Sequence, residues 1–344
     1  MSHLPKRRLG QTDLELTTLG FGAASLGNLY KAETDEEARR TLKTAIKSGI
    51  NLFDTAPHYG LGLSERRVGD ALRSLNTRDY VVSTKVGRIL TADINADTSR
   101  LRYGFDTPMP FDAHYDYTYD GIMRSYEDSL QRLGLAKIDI LLVHDIGAET
   151  HGDKDAFYYQ QLQESGYKAL NELRQQGEIK AVGLGVNETE VCERVMALGQ
   201  FDCFLLAGRY SLLEQEALTS FLPKCKEHCT SIILGGPYNS GILATGVKGQ
   251  IVPTYNYAPA PKAIIDKVRC IEEVCSEFDV SLAAAALQFP LAHKAVTTVI
   301  PGIGSESRVI KTQGLFSEYI PSEFWQTLKK FELIVEDAPV PEDN

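Results

Sequence analysis

Residues 51–60 read NLFDTAPHYG, in which a short apolar run ends on Asp54 and Tyr59 follows at a turn marked by proline and glycine. Two later stretches repeat this design, VVSTK at residues 81–85 and IDILLVH at residues 138–144. Each is an apolar, strand-like run with one ionisable residue at its carboxyl end. The carboxyl ends of the strands of a parallel barrel meet at one mouth. The sequence therefore predicts that an aspartate, a tyrosine, a lysine and a histidine converge there.

Strand-like and helix-like segments alternate along the whole chain, which is typical of an α/β fold with a parallel sheet. No linker, low-complexity stretch or longer repeat interrupts this alternation. We therefore expect a (β/α)8 TIM barrel in which residues 1–344 form one domain. The eight predicted barrel strands cover residues 18–22, 51–55, 80–86, 138–144, 181–186, 202–206, 231–235 and 297–300.

Composition excludes several classes of partner. The net charge is −10, which argues against a nucleic acid or an anionic membrane as a partner, because both bind clusters of lysine and arginine. The first residues do not resemble a signal peptide, and the most apolar run, residues 282–292, is too short to span a bilayer. The six cysteines form no CxxC pair. We expect ordinary thiols in a reducing cytoplasm and no metal site.

Four ionisable residues carry a resemblance to a known family. The block from Asp54 to Gly60, followed by Ser64 and Glu65, resembles the aldo-keto reductase superfamily. Asp54, Tyr59, Lys85 and His144 match the catalytic tetrad of that family in chain order. The resemblance implies a (β/α)8 barrel that binds a nicotinamide cofactor without a Rossmann domain, and a small hairpin at residues 8–14 on the barrel floor.

The resemblance also implies a role for each member of the tetrad. Tyr59 is the expected proton acceptor in oxidation and the acid in reduction. Lys85 is expected to lower the pKa of the phenol, and Asp54 to keep Lys85 charged and oriented. His144 would donate a hydrogen bond to the substrate oxygen. Taken singly, each residue also has an ordinary structural explanation, and for the neighbouring His58 that explanation is favoured.

The residues expected to hold the cofactor lie after several barrel strands. Loops after strands seven and eight are rich in glycine and serine, and the second runs into a helix start, an arrangement that binds phosphates. At three positions this chain departs from the family. It has Ala207 in place of a glutamine that binds the cofactor's carboxamide, Gly235 in place of a stacking tyrosine, and Gly302 in place of a lysine that often binds the 2′-phosphate. The resemblance to the sugar-dehydrogenase branch assigns cofactor contacts to Gly22, Asn187, Tyr238, Asn239, Ser240, Gly241, Leu243, Pro301, Gly302, Ser305 and Arg308.

The connection over residues 87–119 is long and rich in aromatic residues. A long structureless loop in a compact domain is generally functional or disordered, and the aromatic content argues against disorder. The connection emerges at the catalytic end of the barrel. We expect a lid or a substrate wall, with an oligomer contact or a surface decoration as alternatives.

The resemblance leads to a specific functional hypothesis. We expect an oxidoreductase that uses NAD, or less favourably NADP, to oxidise the anomeric hydroxyl of an aldose to a lactone. The aldose would be of the L-fucose, L-galactose or D-threo-aldose type. Alternatives are oxidation of pyridoxal through its hemiacetal, reduction of a general aldehyde or ketone, and a regulatory subunit that senses the cofactor. The oligomeric state stays open.

Overall fold

The computed structural model describes residues 4–75, 78–249 and 252–342. Eight parallel strands form one sheet, in the order β14-β11-β10-β9-β8-β5-β4-β3. Single bridges join Leu19 to Val299 and Gly22 to Gly302, which closes the sheet into a barrel. The predicted (β/α)8 fold is confirmed. The predicted extent of the domain, residues 1–344, includes residues 1–3, 76–77, 250–251 and 343–344, which lie outside the described residues.

The barrel strands agree with the predicted positions, although the first is only two residues long. Three antiparallel pairs, β1 with β2, β6 with β7 and β12 with β13, lie outside the barrel. The strands are β1 (Lys6–Arg8), β2 (Glu15–Thr17), β3 (Phe21–Gly22), β4 (Leu52–Asp54), β5 (Val81–Val86), β6 (Arg88–Ala92), β7 (Phe111–Tyr115), β8 (Ile140–His144), β9 (Ala181–Val186), β10 (Cys203–Ala207), β11 (Ser231–Gly235), β12 (Thr254–Tyr255), β13 (Ala258–Pro259) and β14 (Val296–Ile300).

Helices surround the barrel and bury their apolar faces against it. The first begins at a capping box, in which the Thr34 side chain accepts from the backbone of Glu37 and the Glu37 side chain accepts from Thr34. The helices are α1 (Asp35–Lys47), α2 (Leu63–Arg73), α3 (Tyr119–Leu133), α4 (Ala148–His151), α5 (Asp155–Gln161), α6 (Tyr167–Gln175), α7 (Glu190–Val195), α8 (Phe221–Glu227), α9 (Ile242–Thr245), α10 (Lys262–Glu277), α11 (Leu282–Gln288), α12 (Glu306–Phe316) and α13 (Ser322–Lys330). No helix of the described segments is long and apolar enough to cross a membrane.

The β1–β2 hairpin closes the amino-terminal end of the barrel. Leu9, Leu14 and Leu16 belong to the same buried cluster as the inward-facing residues of the barrel strands. Leu52 of β4 and Ile140 of β8 are two of these strand residues, and both are completely buried. The predicted hairpin at the barrel floor is therefore confirmed, and it seals the barrel end opposite the predicted site.

The connection over residues 87–119 is not the structureless loop that the sequence suggested. It contains an antiparallel ribbon, in which β6 pairs with β7 from Arg88 opposite Tyr115 to Ala92 opposite Phe111. The ribbon begins at Gly87, where the positive φ of 91° favours glycine. A Cβ at this position would also lie 2.4 Å from the ring of Tyr117. The aromatic residues of this segment thus form a folded extension beside the barrel mouth.

Candidate active site

A buried ion pair lies at the carboxyl ends of β4 and β5. Lys85 Nζ donates to Asp54 Oδ1 over 2.7 Å and to the carbonyl oxygen of Thr55 over 2.9 Å. The hydroxyl of Ser83 donates to the other oxygen of Asp54. Burial alone would lower the pKa of Lys85, but Asp54 and then Tyr59 favour the ammonium, and the net pKa is raised. Lys85 is therefore a fixed positive charge at neutral pH.

Tyr59 lies in the turn after β4, close to this charge. Lys85 Nζ is 4.9 Å from the centre of the Tyr59 ring, and the ring of His144 is 6.0 Å away at nearly a right angle. Burial raises the pKa of Tyr59 to about 12, although Lys85 acts in the opposite direction. Lys85 lowers this pKa, as expected, but the net pKa stays above the ordinary value of a tyrosine. Here the desolvation of the phenolate outweighs the attraction of the ammonium.

His144 ends β8 and is almost completely buried. Burial, together with the charges of Arg88 and Lys85, lowers the pKa of His144 well below its ordinary value. The imidazole is therefore neutral, with one nitrogen able to donate and the other to accept. Its Nδ1 has no hydrogen-bond partner within the described part of the chain. The structure thus brings all four predicted catalytic side chains to one mouth of the barrel.

The turn that carries Tyr59 is held by buried polar contacts. The hydroxyl of Ser64 contacts that of Thr55 over 2.8 Å and donates to the carbonyl oxygen of Ala23. Close approach of two backbones also requires glycine, since a Cβ at Gly27 would lie 2.5 Å from the carbonyl carbon of Tyr59. The position of the phenol is therefore set by the strands and the helix around it.

Glu65 links this turn to the strand that carries Lys85. It is fully buried at the start of α2 and accepts from Thr84, the residue before Lys85. Arg132 of α3 pairs with its other oxygen. The role of Glu65 was not predicted, although its place in the family motif was a signal. A buried carboxylate needs such partners, and here they fix β5 against α2.

A cavity of about 300 Å³ lies beside the tetrad. Its walls are His58, Arg88, Tyr103, Ala113, His114 and Tyr115. The ring of His58 is 6.1 Å from that of His144, which places the cavity next to the predicted catalytic residues. Arg88 pairs with Asp145, the residue after His144. Sequence reasoning missed Arg88 and Asp145, and it favoured a purely structural role for His58.

The residues predicted to hold the cofactor fall into two groups. The first lies where β3 meets the loop after β14: the N–H of Gly22 donates to the carbonyl oxygen of Pro301. Ser305 caps α12 by accepting from the backbone N–H of Arg308. Gly302 and Arg308 are exposed, and Arg308 forms no ion pair with any residue that the structure describes. This set offers free backbone and guanidinium donors for an anionic group.

The second group follows β9 and β11. Asn187 follows β9, and Tyr238 is half-buried in the turn after β11. The buried side chain of Asn239 accepts from Ser211 and donates to the carbonyl oxygen of Gly208, so it shapes the turn. Ser240 accepts the backbone N–H of Tyr257. Gly241 has a φ of 100° and ends the turn.

Leu243 is a predicted cofactor residue whose side chain faces away from any ligand surface. Its side chain is completely buried in the core around the barrel. Its backbone N–H already donates to the carbonyl oxygen of Tyr238. Neither its side chain nor its backbone donor is free for a ligand.

The residues present fit a nicotinamide dinucleotide. At Gly302 a Cβ would meet only the hydroxyl of Ser25, at 3.5 Å, so a ligand can approach the backbone there. Gly185 of β9 packs directly on Lys85, because a Cβ at this glycine would lie 3.0 Å from Lys85 Cε. Glycine at this position therefore leaves room for the Lys85 side chain in the tetrad. The start of α12 suits the phosphates of a dinucleotide.

Comparison with known proteins supports the geometric evidence. A model of the Aldo/keto reductase family matches residues 18–332. The chain belongs to this family. It is 42% identical to a pyridoxal 4-dehydrogenase of Microbacterium luteolum, over 96% of this chain and 98% of that protein. It is 38% identical to a D-threo-aldose 1-dehydrogenase of a Pseudomonas species, over 93% and 95% of the respective chains.

Solved structures agree with this assignment. An aldo-keto reductase of Bacillus halodurans, in its holo form, is similar to the protein with a TM-score of 0.74 and 28% identity, covering 99% of both chains. The chain is therefore an aldo-keto reductase oxidoreductase with a TIM barrel, and aldo-keto reductases use nicotinamide cofactors. The roles of its individual residues stay predictions.

Proposed function

We propose that this aldo-keto reductase oxidises the anomeric hydroxyl of an aldose to a lactone, with NAD as the preferred cofactor and NADP as the alternative. The observation that carries the proposal is the buried Asp54–Lys85 pair against Tyr59 and neutral His144, beside a cavity lined in part by His58 and Arg88. The 38% identity to a D-threo-aldose 1-dehydrogenase supports a sugar of the L-fucose or L-galactose type.

A bound nicotinamide would supply the acceptor for the hydride of the anomeric carbon. In the same reaction Tyr59 takes the proton of the anomeric hydroxyl, so that a carbon–oxygen double bond forms and the lactone results. His144 donates its one N–H to the reacting oxygen and directs the lone pair of that oxygen. In reduction Tyr59 returns the proton. Gly22, Pro301, Gly302, Ser305 and Arg308 would hold the dinucleotide.

The Asp54–Lys85 pair controls the proton affinity of Tyr59. A phenolate in this buried position is stabilised by the ammonium next to it, which Asp54 orients through a bond of 2.7 Å. Because the pKa of Tyr59 is raised to about 12, the phenolate is scarce at neutral pH. We therefore expect oxidation to become faster as the pH rises.

Pyridoxal is the second candidate substrate, because the chain is 42% identical to a pyridoxal 4-dehydrogenase. The hemiacetal of pyridoxal presents the same reacting group as a cyclic aldose, a carbon that carries a hydrogen, a hydroxyl and a ring oxygen. The proposed chemistry at Tyr59 is therefore unchanged. A cytoplasmic location is part of the proposal and fits the six free thiols of the chain.

A substrate screen tests the proposal. Purified protein is mixed with single aldoses or pyridoxal and with NAD or NADP, and the absorbance of the reduced nicotinamide is followed. Lactone formation from an aldose, lost in Tyr59→Phe, is the expected result. Turnover of pyridoxal alone would favour the second candidate. Cofactor binding without turnover of any aldose, pyridoxal, aldehyde or ketone would favour the regulatory-subunit alternative.

A further inference from the structure

We propose that Arg88 is a second anchoring residue for the substrate, which binds a ring hydroxyl away from the reacting carbon. This inference rests on the proposed function, because it concerns the same substrate. The shared chemistry is a small uncharged ring with hydroxyl groups, either an aldose or the hemiacetal of pyridoxal. Three observations support it: the Arg88 guanidinium is held in a fixed position, it lines the cavity beside the tetrad, and its charge is balanced there.

The guanidinium of Arg88 is held in place on two sides. One nitrogen pairs with Asp145, and the guanidinium carbon lies 4.8 Å from the centre of the Tyr115 ring. The Arg88 side chain is only 11% exposed, so it has little freedom to move. A guanidinium fixed by a carboxylate and an aromatic face is preorganised, and it loses little entropy when it binds a further acceptor.

Polar atoms at this cavity lack partners within the described residues. Arg88 Nε is shielded from solvent and donates to no acceptor, and His58 Nδ1 is likewise shielded and unpaired. Such atoms are rare in folded proteins, because burial without a hydrogen bond is unfavourable. Both residues line the cavity. The wall formed by Arg88 and His58 therefore has hydrogen-bonding capacity that the described part of the protein does not use.

Charge at the cavity indicates which ligands it accepts. Asp145 already balances the charge of Arg88. Burial lowers the pKa of His58 to about 3, so that this histidine is uncharged at neutral pH. The cavity therefore offers hydrogen bonds without an unpaired positive charge on these two walls. This arrangement suits neutral hydroxyl groups better than the phosphate of a sugar phosphate, which needs basic groups that are not already paired.

The position of the cavity connects it to the reaction. Asp145 Oδ2 lies 3.5 Å from His144 Nε2 and also pairs with Arg88, so Arg88 lies close to His144. The ring of His58, which lines the cavity, is 6.1 Å from that of His144. A ring whose reacting carbon lies between Tyr59 and His144 can therefore extend toward Arg88. We expect Arg88 to fix the orientation of the ring, while the tetrad acts on its reacting carbon.

The test combines a substitution with a change of substrate. Arg88→Met keeps the length of the side chain and removes its donors. Arg102→Met is the matched control, because Arg102 pairs with Asp93 in the connection between β6 and β7 and does not line the cavity. Each protein is assayed with a good aldose and its deoxy analogues, and with pyridoxal and its 3-deoxy analogue, after thermal unfolding and NADH binding have confirmed that it is folded.

With wild-type protein and Arg102→Met, we expect one deoxy analogue to have a kcat/KM about 10- to 100-fold below that of its parent, the loss typical of one charged hydrogen bond. For Arg88→Met, kcat/KM for the parent substrate should fall by the same factor. The kcat/KM values for the parent and its deoxy analogue should then agree to within about twofold. The aldose and pyridoxal series separately show which ring is bound. If the effect of Arg88→Met on log kcat/KM adds to the effect of removing the hydroxyl, in both the aldose and the pyridoxal series, the proposal is wrong.

The inference can be separated from the proposed function. If wild-type protein turns over neither an aldose nor pyridoxal, the proposed function is wrong. The parent and deoxy compounds are then compared by the thermal stabilisation they give to the NADH complex. A difference in wild-type protein that disappears in Arg88→Met supports the anchoring role of Arg88. Equal stabilisation by parent and analogue in wild-type protein contradicts it.

Discussion

We expect the preference between NAD and NADP to depend on one position, Gly302. This residue is exposed after β14, and a side chain there meets only the hydroxyl of Ser25, at 3.5 Å. A 2′-phosphate carries about two negative charges, and the chain has Arg308 for it but Gly302 where the family often has a lysine. One charged hydrogen bond contributes about 1.5–3 kcal/mol, and an exposed position favours the lower end, which is about tenfold in affinity. We therefore expect wild-type protein to favour NAD over NADP by about tenfold in kcat/KM.

Gly302→Lys should narrow this gap or reverse it, mainly through a lower KM for NADP. Gly302→Gln has a side chain of similar reach without the charge, and it should leave the preference nearly unchanged. The assay is initial-rate kinetics with both cofactors at a saturating concentration of the same substrate. A wild-type preference for NADP would refute this reasoning, and would indicate that another cation, such as Lys311, reaches the 2′-phosphate.

Other expectations concern the tetrad and the ribbon. Tyr59→Phe should lower kcat by about 100-fold or more without loss of NADH binding, measured by fluorescence titration. The oxidation rate of wild-type protein should rise from pH 7 toward pH 10, because the base is a phenol whose pKa is raised to about 12. The pH–rate profile should show no step near the ordinary pKa of a histidine, because the pKa of His144 is lowered well below it. Lys85→Met should lower the free energy of unfolding, measured in urea, by about 3–5 kcal/mol, because it leaves the buried Asp54 without its ion-pair partner. Adding Asp54→Asn to this variant should restore part of the lost stability. Replacing residues 89–114 by a short Gly/Ser connector should raise KM for the substrate much more than for the dinucleotide, and equal changes would reject a substrate wall.

The barrel and the tetrad were predictable because each depends on a local pattern. An apolar run that ends on Asp54, Lys85 or His144 contains both the strand and the functional side chain at its end. The order of parallel strands then brings these ends together. No knowledge of distant contacts is needed for this step.

The cavity and the pKa values were harder to predict from the sequence. Arg88 and Asp145 are 57 positions apart, and nothing local to either residue shows that they pair. The pKa of Tyr59 depends on the balance between burial and one charge, which requires coordinates. The ribbon did leave a signal: residues 111–115, FDAHY, alternate between half-buried and exposed positions, as a strand does. The prolines just before them favoured the interpretation as a loop.

The hairpin that seals the barrel floor has a consequence for the order of events in each reaction cycle. With Leu9, Leu14 and Leu16 filling the amino-terminal end, a ligand can reach the tetrad only from the opposite end. Cofactor and substrate then share one entrance, and whichever lies deeper must arrive first and leave last. We propose that the nicotinamide lies deeper in this mouth than the substrate, and we therefore expect compulsory-order kinetics, with the dinucleotide first on and last off.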